Sequence, residues 1–203
     1  MSILTEERER IANAIRSAEA RTSGEIVCVL ARTSTQATAL PVILAAAAAL
    51  ATPWLLVAFT AMTVQQILAI QIAVFLVLLL LLSLPSLRVA LMPRQMRRAI
   101  AHQKAMEQFI SRGLAGNKDR AGILIFVSLA ERYARIIVDD DIAARVPQSA
   151  WQGAVDALIA HTRHGRIADG FIAAIDACGE ELARYFPKAA GGQNRLPDRI
   201  FVI

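Results

Sequence analysis

The chain has 203 residues, 56% of them hydrophobic and only 19% charged, with 22 Lys and Arg against 17 Asp and Glu. The apolar excess excludes a disordered chain, and the length excludes a large multidomain protein. Two cysteines, Cys28 and Cys178, are too few for a disulfide scaffold and have no metal-ligand spacing.

In chain order, Thr5 can N-cap a helix whose first turn holds Glu6 and Glu7, at the positive end of its dipole. Ile11, Ile15 and Ala18 give it one buried stripe. Thr22-Ser23-Gly24 ends it, and Glu25 to Ala31 is rich enough in β-branched residues for a strand. One helix and one strand cannot enclose a core, so residues 1–32 are the first part of a domain completed further along the chain.

Between Arg32 and Arg88 lie 55 residues without a charge. A helix needs about 20 apolar residues to cross a bilayer, so this stretch holds two spans. The expected spans are residues 37–59 and 67–87, inside a hairpin covering 33–90, with Thr60 to Gln66 as the polar interruption. Ile72 to Leu82 is apolar on every helical face, unlike a buried hairpin of a soluble core. Two spans place both flanks on one side. Arg32, Arg88, Arg94, Arg97 and Arg98 predict an inner-membrane protein with both soluble parts and both termini cytoplasmic. Residues 88–120 carry eight Lys and Arg against two acids. Without interleaved aromatics, next to a span, they point to anionic lipid rather than nucleic acid. The partner expected from residues alone is therefore the bilayer. The small-residue run Ala45 to Ala49 also allows a homo-oligomer through the hairpin.

The second part of the domain is expected over 91–187. Arg94 to Arg112 is an amphipathic helix with Gly113 at its C-terminal cap. Gly122 to Leu129 reads as a strand buried on both faces, and Tyr133 to Val138 as its return strand. Ser149 can cap a helix carrying Trp151, Val155, Leu158 and Ile159. A last helix, Asp169 to Tyr185, starts at an Asp169 cap. Residues 188–203 read as an extended tail whose end, Ile200 to Ile203, can form an edge strand or meet a partner. The expected fold is α/β: a three-layer α/β/α sandwich with a small mixed sheet, interrupted by a two-helix transmembrane hairpin.

Three segments, RTSGEIVCVL, NKDRAGILIFVSLAERYARIIVDDDI and RIADGFIAAIDACGEEL, resemble the TPM domain family. That family is named for a thylakoid lumen protein, a photosystem II repair protein and a receptor modulator. The resemblance covers residues 1–32 and about 94–187. It implies the α/β/α fold, and either acid phosphatase activity with a divalent metal, often calcium, near the acidic tip, or an accessory role in membrane complexes. The chain departs from the family pattern twice. Its hairpin interrupts the domain instead of following it, and DDDIAARVP stands where a glycine-rich segment is expected.

The residues that can bind metal are Asp139, Asp140 and Asp141 at a strand end, with Asp119 at the entry of the preceding strand. Hard divalent cations take oxygen ligands, and grouped carboxylates repel until a cation or proton relieves them. The alternative is a solvated turn in which Asp141 caps a short helix over 142–146. No Cys-x5-Arg loop or glycine-rich phosphate cradle is present, and Cys28 reads as a core thiol. His161 and His164 read as cations complementing a helix C-terminus. His102 reads as solvated, and Glu25 as an edge carboxylate. The expected function is a non-catalytic accessory or assembly factor for an integral membrane complex. The alternative is a weak phosphatase dependent on Ca2+ or another divalent cation.

Overall fold

The alternation of apolar residues along the strands decides which side chains meet which layer. A computed structural model of the chain describes residues 4–33, 39–84, 93–114, 121–188 and 196–203. In chain order the elements are α1 (Thr5–Glu19), β1 (Glu25–Ala31), α2 (Ala39–Phe59), α3 (Val64–Ser83), α4 (Arg94–Ser111) and β2 (Gly122–Ser128). There follow β3 (Tyr133–Val138), α5 (Asp140–Arg145), α6 (Ala150–Arg163), α7 (Ile167–Tyr185) and β4 (Ile200–Val202). They form two compact units, Met1–Ser34 with Arg98–Ile203, and Thr35–Arg97.

The first unit is built on a four-stranded sheet of order β3-β2-β1-β4. β1 runs parallel to both neighbours, while β3 is antiparallel to β2, so the sheet is mixed. Every residue of β1 and β2 is buried, which explains their unbroken apolar runs. Odd and even positions diverge to opposite faces. Ile26, Cys28 and Leu30, with Ile123, Ile125 and Val127, pack against Ile11 and Ile15 of α1, Trp151 of α6 and Phe171 of α7. Val27, Val29, Leu124 and Phe126 pack on the other face against Ala105 and Phe109 of α4. Helices therefore cover both faces, giving the three layers.

Two glycines are required locally, one by a close approach and one by its backbone conformation. A Cβ on Gly179 of α7 would lie 2.8 Å from the Ala18 Cβ, so glycine lets α1 sit directly on α7. Gly113 has φ +70° after α4. There its N–H reaches the Ile110 carbonyl at 3.0 Å, while the Leu114 N–H reaches Phe109 at 3.2 Å. This is a Schellman ending, and its flanking Phe109 and Leu114 share one apolar cluster.

Several boundaries differ from the sequence reading, each for a local reason. The N-cap of α1 is Leu4, not Thr5: the Leu4 N–H donates to Glu7 Oε2 at 2.8 Å, so Glu7 closes the helix start from inside. Asp169 is not a cap but a first-turn residue of α7, paired with Arg10 at 2.7 Å. That pairing holds its carboxyl below the usual range. Helix α6 does follow Ser149, although the Ser149 side chain makes no capping bond. The extended tail forms β4, where the Ile203 N–H donates to the Leu30 carbonyl at 2.9 Å.

In the second unit α2 packs on α3. Both helices are long and apolar enough to cross a membrane, over Val42–Phe59 and Val64–Ser83. Helix α3 starts earlier than expected because Gln66 belongs to its first turn: the Thr63 N–H donates to Gln66 Oε1 at 3.1 Å. Residues 37–38 and 85–87 of the expected spans lie outside the described residues. Ala45, Ala49 and Ile67 are buried, so the small residues of α2 serve packing within this hairpin. Trp54, Phe59 and Leu80 are exposed, as suits side chains that face lipid.

Candidate functional site at the acidic turn

Strand β3 hands the chain to α5 at Asp139, whose extended backbone (φ −74°, ψ 172°) makes it the N-cap of that helix. Its Oδ1 accepts the Ile142 N–H at 2.9 Å and its Oδ2 accepts the Gly122 N–H at 3.1 Å. The Asp139 N–H in turn donates to the Gly122 carbonyl at 3.1 Å. One carboxylate thus caps a helix and fastens the end of β3 to the start of β2. Burial raises its pKa, the two backbone N–H groups oppose the rise, and the charges of Asp141 and Asp140 reinforce it.

The capping residue is therefore Asp139, over α5 at Asp140–Arg145, and not Asp141 over 142–146. The cause is geometric: an N-cap side chain reaches the N–H three residues on, and Asp139 has Ile142 at that position. Asp140 and Asp141 are exposed in the first turn of α5. Asp119 lies outside the described residues. Among the described residues no three His, Cys, Asp or Glu side chains form a group that could hold a metal ion.

The two thiols are core groups. Cys28 and Cys178 are buried and free; burial pushes Cys28 well above the ordinary thiol range and Cys178 up to about 12. Glu25, expected at an edge, opens the central strand β1, where it pairs with Gly122 of β2 and is buried. His102, expected in solvent, is partly buried with its Nδ1 3.5 Å from the Tyr133 hydroxyl. His161 lies in the last turn of α6, and the His164 Nδ1 is 2.8 Å from the Ala160 carbonyl.

A second acidic group escaped the sequence reading. Glu19, the last residue of α1, accepts the Ile26 N–H at 2.8 Å. Burial, then the neighbouring Asp198 and Glu25, push its pKa up to about 8, against the lowering effect of that backbone bond. Asp198 arrives from the far end of the chain, and no local pattern announces that meeting. A raised carboxyl pKa makes the folded state hold a proton that the unfolded state releases. Its stabilising contribution is complete below the ordinary value of 4.5 and is lost as pH rises through about 8. Thermal unfolding of Glu19→Gln should show a flatter pH profile than the parent chain across this window. Parallel profiles would refute the assignment.

At the opposite end of the sheet, Arg32, Leu129, Ala130, Thr162, Gly165 and Ile167 line an open crevice of about 390 Å³. It lies beyond the carboxyl ends of parallel β1 and β2, the usual place for ligand crevices in α/β sheets. Beside it the Ser128 hydroxyl donates to Glu131, which also accepts from Thr33 at 3.1 Å.

A mixed four-stranded sheet covered by helices on both faces, with an N-capped acidic turn, defines a class of small α/β/α domains. Residues 86–181 match the family model of the TPM domain. The matched segment lacks α1 and β1, which the fold supplies from before the hairpin. Among solved structures, the NMR structure of the BA42 protein from the psychrophilic bacterium Bizionia argentinensis is similar, with a TM-score of 0.61 at 20% identity. The alignment covers 100% of this chain and 96% of that one, and it establishes a shared fold. No curated protein matches the sequence.

Proposed function

We propose that the chain is a membrane-anchored TPM domain that serves as a non-catalytic accessory or assembly factor for an integral membrane complex. It sits in the inner membrane with both soluble parts in the cytoplasm. The observation that carries this reading is the use of Asp139: both carboxylate oxygens are occupied by backbone N–H groups, so the carboxylate at the centre of the acidic turn does structural work. The buried, strongly protonated thiols favour the same reading, since the thiolate is the nucleophilic form. Apolar helices α2 and α3 support the anchor, and the uncharged turn between arginine-rich flanks supports the orientation. A homo-oligomer through the hairpin remains compatible with it.

The alternative is a weak phosphatase using Ca2+ or another divalent cation held by Asp119, Asp139, Asp140 and Asp141. The exposed pair Asp140 and Asp141 favours it, being free to meet a cation from solvent. The deciding experiment purifies the full chain in detergent, with and without Asp140→Ala and Asp141→Ala. Co-purification of one defined membrane partner by both forms, without metal-stimulated hydrolysis of p-nitrophenyl phosphate, is the expected result. Hydrolysis that needs calcium, magnesium or manganese and disappears in the double variant would replace the accessory reading with the enzymatic one.

A further inference from the structure

We propose that the end of the sheet where β1 stops and β3 begins is a docking surface for anionic phospholipid headgroups. The inference rests on the membrane-anchored reading and adds a second, peripheral contact to the anchor. Within the first unit, the residues nearest the hairpin in sequence, Arg32 after β1 and the stretch of α4 before His102, lie at this end of its sheet. β1 runs toward it and is followed by Arg32, and Val42, where the first apolar span begins, is ten residues further on. Helix α4 returns at the same end: the His102 and Tyr133 side chains meet at 3.5 Å, and Tyr133 is the first residue of β3. Arg98, one turn before His102, lies further along α4 toward the hairpin.

Two further connections converge there. The Leu129 N–H donates to the Ala31 carbonyl at 3.0 Å and the Ala130 N–H to Arg32 at 3.2 Å, which ties the β2–β3 turn to the end of β1. Thr162, Gly165 and Ile167 bring the α6–α7 turn to the same crevice. These connections carry Arg32, Arg132, Arg163 and Arg166, all exposed. Arg132 is held at φ +51°, in the left-handed region that favours glycine, yet an arginine occupies it. The acids nearby are largely engaged. Glu131 is buried and bonded to Ser128 and Thr33, and Asp169 is paired with Arg10; Glu6, Glu7 and Glu9 lie on α1 with Arg8. Exposed guanidiniums around an open crevice complement phosphate-bearing anionic lipid. Each basic residue brought to such a surface strengthens binding roughly fivefold.

The test places the full chain in nanodiscs of phosphatidylcholine alone or with about 30% phosphatidylglycerol, a fraction chosen to give an anionic surface. Amide hydrogen exchange is then followed peptide by peptide. Residues 129–132 and 162–166 should exchange about fivefold more slowly in the anionic discs. High salt, which shortens screening to ~3 Å, should remove the protection. Arg132→Gln with Arg163→Gln should remove it too, while residues 139–145 exchange equally in both discs. Equal exchange of the two basic turns in both lipids would overturn the proposal and leave the anchor intact, as would protection appearing at 139–145 instead. A chain that does not enter nanodiscs at all would overturn the anchor and the docking surface together.

Discussion

Replacing Asp139 by alanine is expected to destabilise the first unit by about 2–4 kcal/mol. The estimate combines a lost N-cap of about 1 kcal/mol with a buried Gly122 N–H left unsatisfied, at about 1–3 kcal/mol. The same change at Asp140 or Asp141, both exposed, should stay within roughly 0.5 kcal/mol. Denaturant unfolding of the three single variants in detergent measures the contrast. Asp139→Asn should fall between, because its Oδ1 still accepts the Ile142 N–H while its amide nitrogen cannot accept from Gly122. If all three alanine variants unfold together near the parent midpoint, the carboxylate is not the fastening that its two bonds imply. The result also guards the functional assay: an activity lost only in Asp139→Ala would report unfolding, not chemistry.

The second large effect is expected at Ile15, which is fully buried and precedes the hairpin in sequence. Ile15→Ala should cost about 2–5 kcal/mol through lost burial and the cavity left behind. The informative readout is its location. Because α1 packs on α7 across the close approach of Ala18 to Gly179, amide exchange should accelerate in α7. Unchanged exchange over 167–185 would mean that the segment before the hairpin is not part of the same core.

How much of this was legible in the sequence depends on how local the cause is. β3 was read at its observed bounds and β2 to within one residue, because a β-branched apolar run bounded by turn residues needs no distant partner to explain it. The two apolar helices were legible from composition alone. Their ends were not, because Gln66 is polar and still begins a helix through its bond to Thr63. Caps failed for a related reason: Thr5 and Asp169 are good capping residues by type, but Glu7 and Arg10 compete for the same local geometry. The acidic turn was found as a composition feature. Its division into one buried fastening and two exposed carboxylates depends on Gly122, seventeen residues earlier in the chain. The Glu19 and Asp198 meeting is the extreme case, joining the end of α1 to the approach of β4.

The strand order has a consequence for how the chain comes into being. β1 lies at the centre of the sheet, yet both of its neighbours, β2 and β4, are made after the hairpin. At roughly 5–20 residues per second, the ribosome needs seconds to make the stretch from β1 to β2. Through that interval α1 and β1 have apolar faces and no sheet to cover them. The apolar helices α2 and α3 emerge in that gap, and on the anchored reading proposed above they would insert before β2 exists. Until β2 and β4 are made, the unfinished chain exposes an unpaired central strand as well as two apolar helices.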